Sequence, residues 1–291
     1  MSQQTGKNDA GQDTAQGGGY PAWLYSYAAT VEDGVAGLSS VTERDIETFH
    51  ERGYLVIHDA FSQAETQAGL QGLADLIDGK NPDFEGVQFE NVVLDKLENL
   101  SSEERQNAVR KLFYFIEYDE RLKALAFHPD LLGVLKRIIG ETELNMFQDM
   151  ALLKPPRVGR EKPWHQDMAY FDVPLETTIV GAWLALDEAT PDNGCMMVIP
   201  GSHKQGAVIH FKKRDWQICD TDVYNDGAVA VPLKPGSLLL FHGLIHHGTP
   251  ANLSRHKRRA LQFHYRGTSV RTTSEAERLA TFGSEGKDVS C

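Results

Sequence analysis

Residues 144–159, LNMFQDMALLKPPRVG, open a stretch of chain unlike what precedes it. From here on, apolar runs of roughly four to eight residues, rich in Val, Leu, Phe and Trp, are separated by turn-forming clusters. These clusters are KPPRVG (154–159), TPDNG (190–194), PGSH (200–203) and LKPGS (233–237). Runs so short, bounded by Pro, Gly, Asn and Asp, predict strands. No helical period separates them, so an antiparallel barrel or sandwich is expected rather than βαβ units. No internal repeat of fixed period occurs.

The sequence before this stretch reads differently. Residues 1–20 hold almost no apolar side chains that could offset ordering entropy, and predict a disordered tail. Thr42 heads an amphipathic helix carrying Ile46 and Phe49. Gly53 ends it, and Tyr54 to His58 follows as a strand. Ser62 caps a second helix, Ser101 or Ser102 with Glu104 opens a third, and His128 to Ile139 forms a fourth, closed by Gly140. The expected architecture is mostly β with a helical layer: a barrel core over about 143–268 backed by N-terminal helices. Residues 21–291 are read as one domain.

Composition narrows the function classes. With 41% hydrophobic and 24% charged residues over 291 positions, the chain is not collagen-like, wholly disordered or a coiled coil. A formal charge of -12 repels phosphate backbones and anionic lipid headgroups, so nucleic acid and membrane are not expected partners. The longest apolar run, Ile179 to Leu186, has the length of a buried strand rather than a membrane span. Cys195, Cys219 and Cys291 form no Cys-x-x-Cys pair and follow no apolar leader, which predicts a cytoplasmic, reducing setting. A small-molecule substrate, handled by a monomer or homodimer, fits this profile.

The chemistry concentrates in the strand-rich half. In Trp164-His165-Gln166-Asp167, His165 and Asp167 are two apart, so an extended strand projects both from one face and Gln166 from the other. A second histidine from a distant strand would complete two imidazoles and one carboxylate, the facial triad that binds Fe(II) and leaves coordination positions open. Three candidates compete in FHGLIHHGT (241–249): His242, His246 and His247. If Arg258 begins a strand, Arg258, Ala260, Gln262 and His264 share one face, and Arg259, Leu261, Phe263 and Tyr265 the other. That alternation suits a polar lumen and an apolar outer face under helices.

The segments MFQDMALLKPP, WHQD, AWLALDEATPDNGCMMVIPGSH and HHGTPANLSRHKRRALQFHY, in this order, resemble the phytanoyl-CoA dioxygenase family of Fe(II)- and 2-oxoglutarate-dependent oxygenases. The resemblance implies a double-stranded β-helix, a jelly-roll barrel of cupin-like type. His247, Thr249, Asn252, Ser254 and Arg258 fit the family's register, and His246 does not. By resemblance, then, His165, Asp167 and His247 are the metal ligands, and O2 joins 2-oxoglutarate at the iron. Arg258 and Thr249 hold the far carboxylate of 2-oxoglutarate, and Trp183, Gln148 and Lys154 complete the co-substrate site. Gly181 and Ala185, on the same face as Trp183, leave room beside its ring. The implied reaction is hydroxylation of a C–H bond with succinate and CO2 as co-products. Halogenation is not expected, because a carboxylate occupies the third ligand position. The loop over about 205–230, with Trp216 and Tyr224, is expected to wall the substrate site. Basic residues from Lys154 to Arg214 would rim it.

Two other readings are open. A non-catalytic barrel that binds a metal or small ligand, acting as sensor or scaffold, would not need Arg258 in register. A cupin-type metalloenzyme independent of 2-oxoglutarate would recruit further histidines, His242 or His246.

Overall fold

The computed structural model describes residues 19–89 and 91–283. The N-terminal tail expected over residues 1–20 lies outside the described residues, apart from its last two positions. One of these, Tyr20, is buried and accepts a hydrogen bond from the Ala251 amide at 2.8 Å.

The strands in chain order are β1 (Ala29–Thr30), β2 (Val35–Ala36), β3 (Tyr54–His58), β4 (Val87–Phe89), β5 (Val109–Phe113), β6 (Leu144–Lys154), β7 (Lys162–His165) and β8 (Val180–Ala185). Then come β9 (Met196–Val198), β10 (His210–Lys212), β11 (Trp216–Ile218), β12 (Val229–Val231), β13 (Leu238–His242), β14 (His247–Thr249) and β15 (Arg258–Gly267). The helices are α1 (Glu43–Arg52), α2 (Gln63–Ile77), α3 (Ser102–Ala108), α4 (Glu120–Ala126), α5 (Pro129–Ile139) and α6 (Glu275–Phe282).

Helix ends fall where the cap signals put them. Ser62 and Glu65 form a reciprocal box at the start of α2, as do Ser101 and Glu104 at α3. Each such cap stabilises its helix by about 1 kcal/mol. Gly53 and Gly140 end α1 and α5 with φ of 83° and 78°, a backbone region in which a Cβ would be strained.

Two sheets face each other. The larger runs β2-β3-β13-β8-β15-β6-β5-β4 and the smaller β1-β12-β9-β14-β7, while β10 and β11 pair as a separate hairpin. From β6 to β9, and again from β12 to β15, successive strands alternate between the two sheets. This is the double-stranded β-helix that the resemblance implied, and the expected fold class holds.

Both faces of the larger sheet are covered, so period-two alternation sorts residues into two cores. Leu238 and Leu240 of β13, Val180, Ala182 and Leu184 of β8, and Leu261, Phe263 and Tyr265 of β15 pack under α2, α4 and α5. Their neighbours Leu239, Phe241, Trp183, Ala185 and Ala260 point the other way, against Trp164, Met196 and Val198 of the smaller sheet. Burying each large apolar side chain contributes about 1.5–3 kcal/mol. The sheet is therefore pinned from both sides.

Two expectations need correction. The first half is less helical than its periodicity suggests, because β4 and β5 extend the larger sheet beyond β6. Their registers are bought by tertiary pairing, which overrides weak local propensity in so short a segment. The gap beside Trp183 is also filled: a Cβ at Gly181 would lie 2.3 Å from the Phe241 ring, so this glycine accommodates Phe241 rather than a ligand. The chain also forms α6 beyond the helices expected, with Ser274 and Glu277 capping it in the same way as α2. Among the described residues, no helix is long and apolar enough to cross a membrane.

Candidate active site

A cavity of about 260 Å³ lies between the sheets. Its wall includes His165, Asp167, His247, Thr249 and Arg258, with Trp183, Gln148, Lys154 and Gln262.

β14 lies antiparallel to β7 with His247 opposite His165, which brings residues 82 positions apart in sequence to a ring separation of 4.2 Å. Asp167 reaches the same point differently from expectation. β7 ends at His165, and Asp167 opens a 3-10 turn (Asp167–Tyr170), so a strand end and a turn converge the pair. Gln166 points away, as alternation requires, donating to the carbonyls of Gly206 and Leu244 at 2.8 and 2.7 Å. Arg278 of α6 steadies the turn through Asp172 Oδ1 at 2.8 Å and the Ala169 carbonyl at 3.0 Å.

The donor atoms of His165, Asp167 and His247 all lie within 4.8 Å of one another, and all three residues are buried. Asp167 Oδ1 is 3.2 Å from His165 Nε2 and 3.6 Å from His247 Nε2. Each imidazole places its Nδ1 against a backbone carbonyl, Pro163 at 2.7 Å and Ile245 at 3.1 Å. With Nδ1–H donating, Nε2 carries the lone pair toward the shared point, which is the tautomer a metal ligand requires. Burial pushes His165 down, and pushes His247 down to about 3, so both rings are neutral near neutrality. Burial alone would push the Asp167 carboxyl up. The imidazoles of His247, His264 and His165 that surround it hold it well below the usual carboxylate range. Two neutral imidazoles and one carboxylate suit Fe(II) with open positions.

Of the three competing histidines, the structure brings only His247 into this cluster. His242 Nδ1 accepts from the Leu244 amide at 3.1 Å, and the backbone of His246 ties to Ser202 and Ile199. A cupin-type centre with additional histidines therefore lacks its ligands among the described residues.

Arg258 is buried on β15, 1% exposed, with its guanidinium 5.4 Å from the Trp183 ring centre. Nη1 donates to the Leu152 carbonyl at 3.1 Å, while Nε, like Trp183 Nε1, is buried with no partner among the described residues. Burial lowers its pKa to about 10, so it stays charged at neutrality. A buried cation with unspent donors facing a cavity calls for an anion, and a carboxylate matches its planar fork. Thr249 lines the same wall.

Lys154, expected at the co-substrate site, lines the same cavity and is held by backbone carbonyls. Its Nζ donates to the carbonyls of Arg160, Thr249 and Pro250 at 2.5, 3.3 and 2.6 Å, which uses all three protons. A Cβ at Gly194 would meet its side chain at 2.8 Å, so the surrounding backbone is shaped around this lysine. Lys154 is a structural brace. The 205–230 loop likewise contributes nothing to the cavity wall: Tyr224 is 81% exposed, and Trp216 stacks on His210. Of the expected basic rim, Arg214 is paired with Glu161 and Asp220.

Sequence reasoning missed Arg110 and Lys111, which line the cavity from β5, a strand it did not foresee. Burial and the nearby Lys162 push Lys111 down to about 8. Gln262 and His264 were placed on the lumen face without a role. Both donate to Asp167 Oδ2, at 3.1 and 2.8 Å.

The family model of phytanoyl-CoA dioxygenase matches residues 49–260, the span that carries the triad and Arg258. The chain belongs to the phytanoyl-CoA dioxygenase family. A probable phytanoyl-CoA dioxygenase of Caenorhabditis elegans is 28% identical over 242 residues, covering 78% of this chain and 76% of that protein. The peroxisomal phytanoyl-CoA dioxygenase of Bos taurus is 30% identical over 230 residues, covering 75% and 66%. The crystal structure of EctD from S. alaskensis with 2-oxoglutarate and 5-hydroxyectoine superposes with a TM-score of 0.62 at 26% identity, over 84% of this chain and 80% of that one. Its form with bound Fe gives a TM-score of 0.65 at 25% identity, over 80% and 79%. This family member is a 2-oxoglutarate-dependent non-haem iron dioxygenase acting on a small molecule.

Proposed function

We propose that this dioxygenase hydroxylates a C–H bond of a small-molecule substrate, with succinate and CO2 as co-products, and that His165, Asp167 and His247 hold its Fe(II). Arg258 and Thr249 then take the distal carboxylate of 2-oxoglutarate above Trp183, with Gln148 at the edge of the site. One observation carries the reading. Three buried donors share a point in a cavity whose wall also holds a buried guanidinium, and among the described residues no carboxylate pairs with that guanidinium. A non-catalytic ligand-binding barrel would hold an anion with the same charge, but it would form no succinate.

Bound at the triad, iron supplies dioxygen activation coupled to decarboxylation of 2-oxoglutarate. The chain supplies the rest. Backbone carbonyls at Pro163 and Ile245 fix both imidazoles, so no reorientation is needed on loading. Arg258 fixes one end of the co-substrate and thereby the orientation of the other. Met150, Leu152, Phe113 and Phe171 give the cavity an apolar wall that excludes water from the reacting centre. The 5-hydroxyectoine bound to EctD, a hydroxylated small molecule, is in keeping with hydroxylation. A cytoplasmic setting is supported by the free, buried thiols of Cys195 and Cys219.

The test is succinate release from the Fe(II)-loaded protein across a metabolite panel, with mass spectrometry of any substrate that stimulates it. A product heavier by one oxygen atom is expected. A product lighter by two hydrogens would replace hydroxylation with desaturation or ring closure. Loss of succinate formation in His247→Ala is required, and a wild-type protein that never forms succinate refutes the reading.

A further inference from the structure

Asp167 has two carboxylate oxygens in different surroundings. Oδ1 faces the imidazoles at 3.2 and 3.6 Å. Oδ2 accepts from His264 Nε2 at 2.8 Å and Gln262 Nε2 at 3.1 Å. Both donors come from alternate positions of β15, the strand that also presents Arg258. We propose that His264 and Gln262 are positioning residues that hold Asp167 to the metal through a single oxygen, so that the positions a facial triad leaves open stay open.

The geometry around His264 is built for this one contact. Its ring is enclosed by Phe171, Phe147 and Phe241 at 5.0, 6.1 and 6.2 Å between centres. Its Nδ1 is buried and has no partner among the described residues. The fold leaves one ring nitrogen unsatisfied while the other is spent on Asp167, a cost that a packing role alone would not require, since a phenyl ring would fill the cage. Gln262 makes the interaction two-pronged. For Asp167 to turn both oxygens toward a metal, it would have to give up both of these buried hydrogen bonds. A carboxylate bound through both oxygens would occupy one of the positions that 2-oxoglutarate and O2 need. The clamp thus acts through Asp167 and rests on the triad being the metal site.

The experiment uses the full chain with Mn(II) as probe. Affinity is measured by titration, and the number of coordinated waters by electron spin echo spectroscopy in 17O-water, without turnover. His264→Phe should lose one coordinated water relative to wild type and weaken Mn(II) binding by about tenfold to a hundredfold. Gln262→Leu should shift both in the same direction by less. His264→Gln, whose amide can still donate, should restore the wild-type water count. An unchanged count and a Kd within about twofold in both His264→Phe and Gln262→Leu would overturn the clamp. If His264→Phe does not fold, Gln262→Leu decides alone by the same criteria. Wild-type protein that binds no Mn(II) would sink the triad assignment itself, and the clamp with it; a clamp failure leaves wild-type binding intact.

Discussion

Replacing Arg258 by methionine separates a binding role from a structural one, because the two predict opposite signs. Burial lowers the guanidinium from its ordinary value to about 10, and a depression of that size means that its charge costs the fold about 3 kcal/mol at neutral pH. Against this stand one hydrogen bond to the Leu152 carbonyl and the contact with Trp183, together about 2 kcal/mol. Arg258→Met keeps most of the volume. The protein without co-substrate should therefore be as stable as wild type, or up to about 1 kcal/mol more stable. With 2-oxoglutarate the sign reverses. A bidentate, charge-assisted pair lost from a buried site removes about 2–4 kcal/mol of binding, so Kd and KM for 2-oxoglutarate should rise by about thirtyfold to a thousandfold. Wild type at a hundred times its Kd gains about 2.7 kcal/mol and a Tm rise of several degrees, and the variant at the same concentration should gain almost none. Thermal melts with and without 2-oxoglutarate, combined with succinate kinetics, read both effects. A variant more than about 2 kcal/mol less stable without ligand would refute the reasoning. So would an unchanged KM for 2-oxoglutarate.

Three other outcomes follow from the same geometry. Lys154→Met should destabilise the protein by about 2–4 kcal/mol in urea unfolding, since three carbonyls lose their donor, while KM for 2-oxoglutarate stays within a few-fold of wild type. Lys111, pushed down to about 8, is protonated below that pH, so turnover should fall as pH rises through about 8 if its charge meets an anionic ligand. In Lys111→Arg that alkaline limb should move beyond pH 9, and a profile identical to wild type would exclude Lys111. His242 and His246 are pushed down to about 4 and His210 to about 3 by burial, so the folded chain resists protonation that the unfolded chain accepts. Their contribution is fully present above about pH 6.5 and is lost as pH falls toward 4, by several kcal/mol together. Urea midpoints measured from pH 7.5 to 4.5 should decline over that window, and a flat profile would contradict the burial of these rings.

The alternation in RRALQFHY specified which side chains of β15 enter the lumen, because a strand has a period of two whatever it pairs with. The helix caps at Ser62, Ser101 and Gly140 were equally legible, since they depend on residues within a turn of each other. His165 and Asp167 could be singled out by spacing, although a strand end and a turn, not an extended strand, join them. Choosing His247 over His242 and His246 needed family register in the sequence, and needed β14 pairing with β7 in space. Lys154 shows the limit most clearly. Strand phase put it on the cavity wall, but only the approach of residues 160, 249 and 250 spends its protons. The same holds for Lys111 on an unforeseen edge strand, and for His264 and Gln262, whose partner lies more than ninety residues earlier in the chain. Local order follows from covalent geometry and is written in sequence. Which polar groups are left unsatisfied, and so free to act, depends on contacts between distant segments that only the folded chain makes.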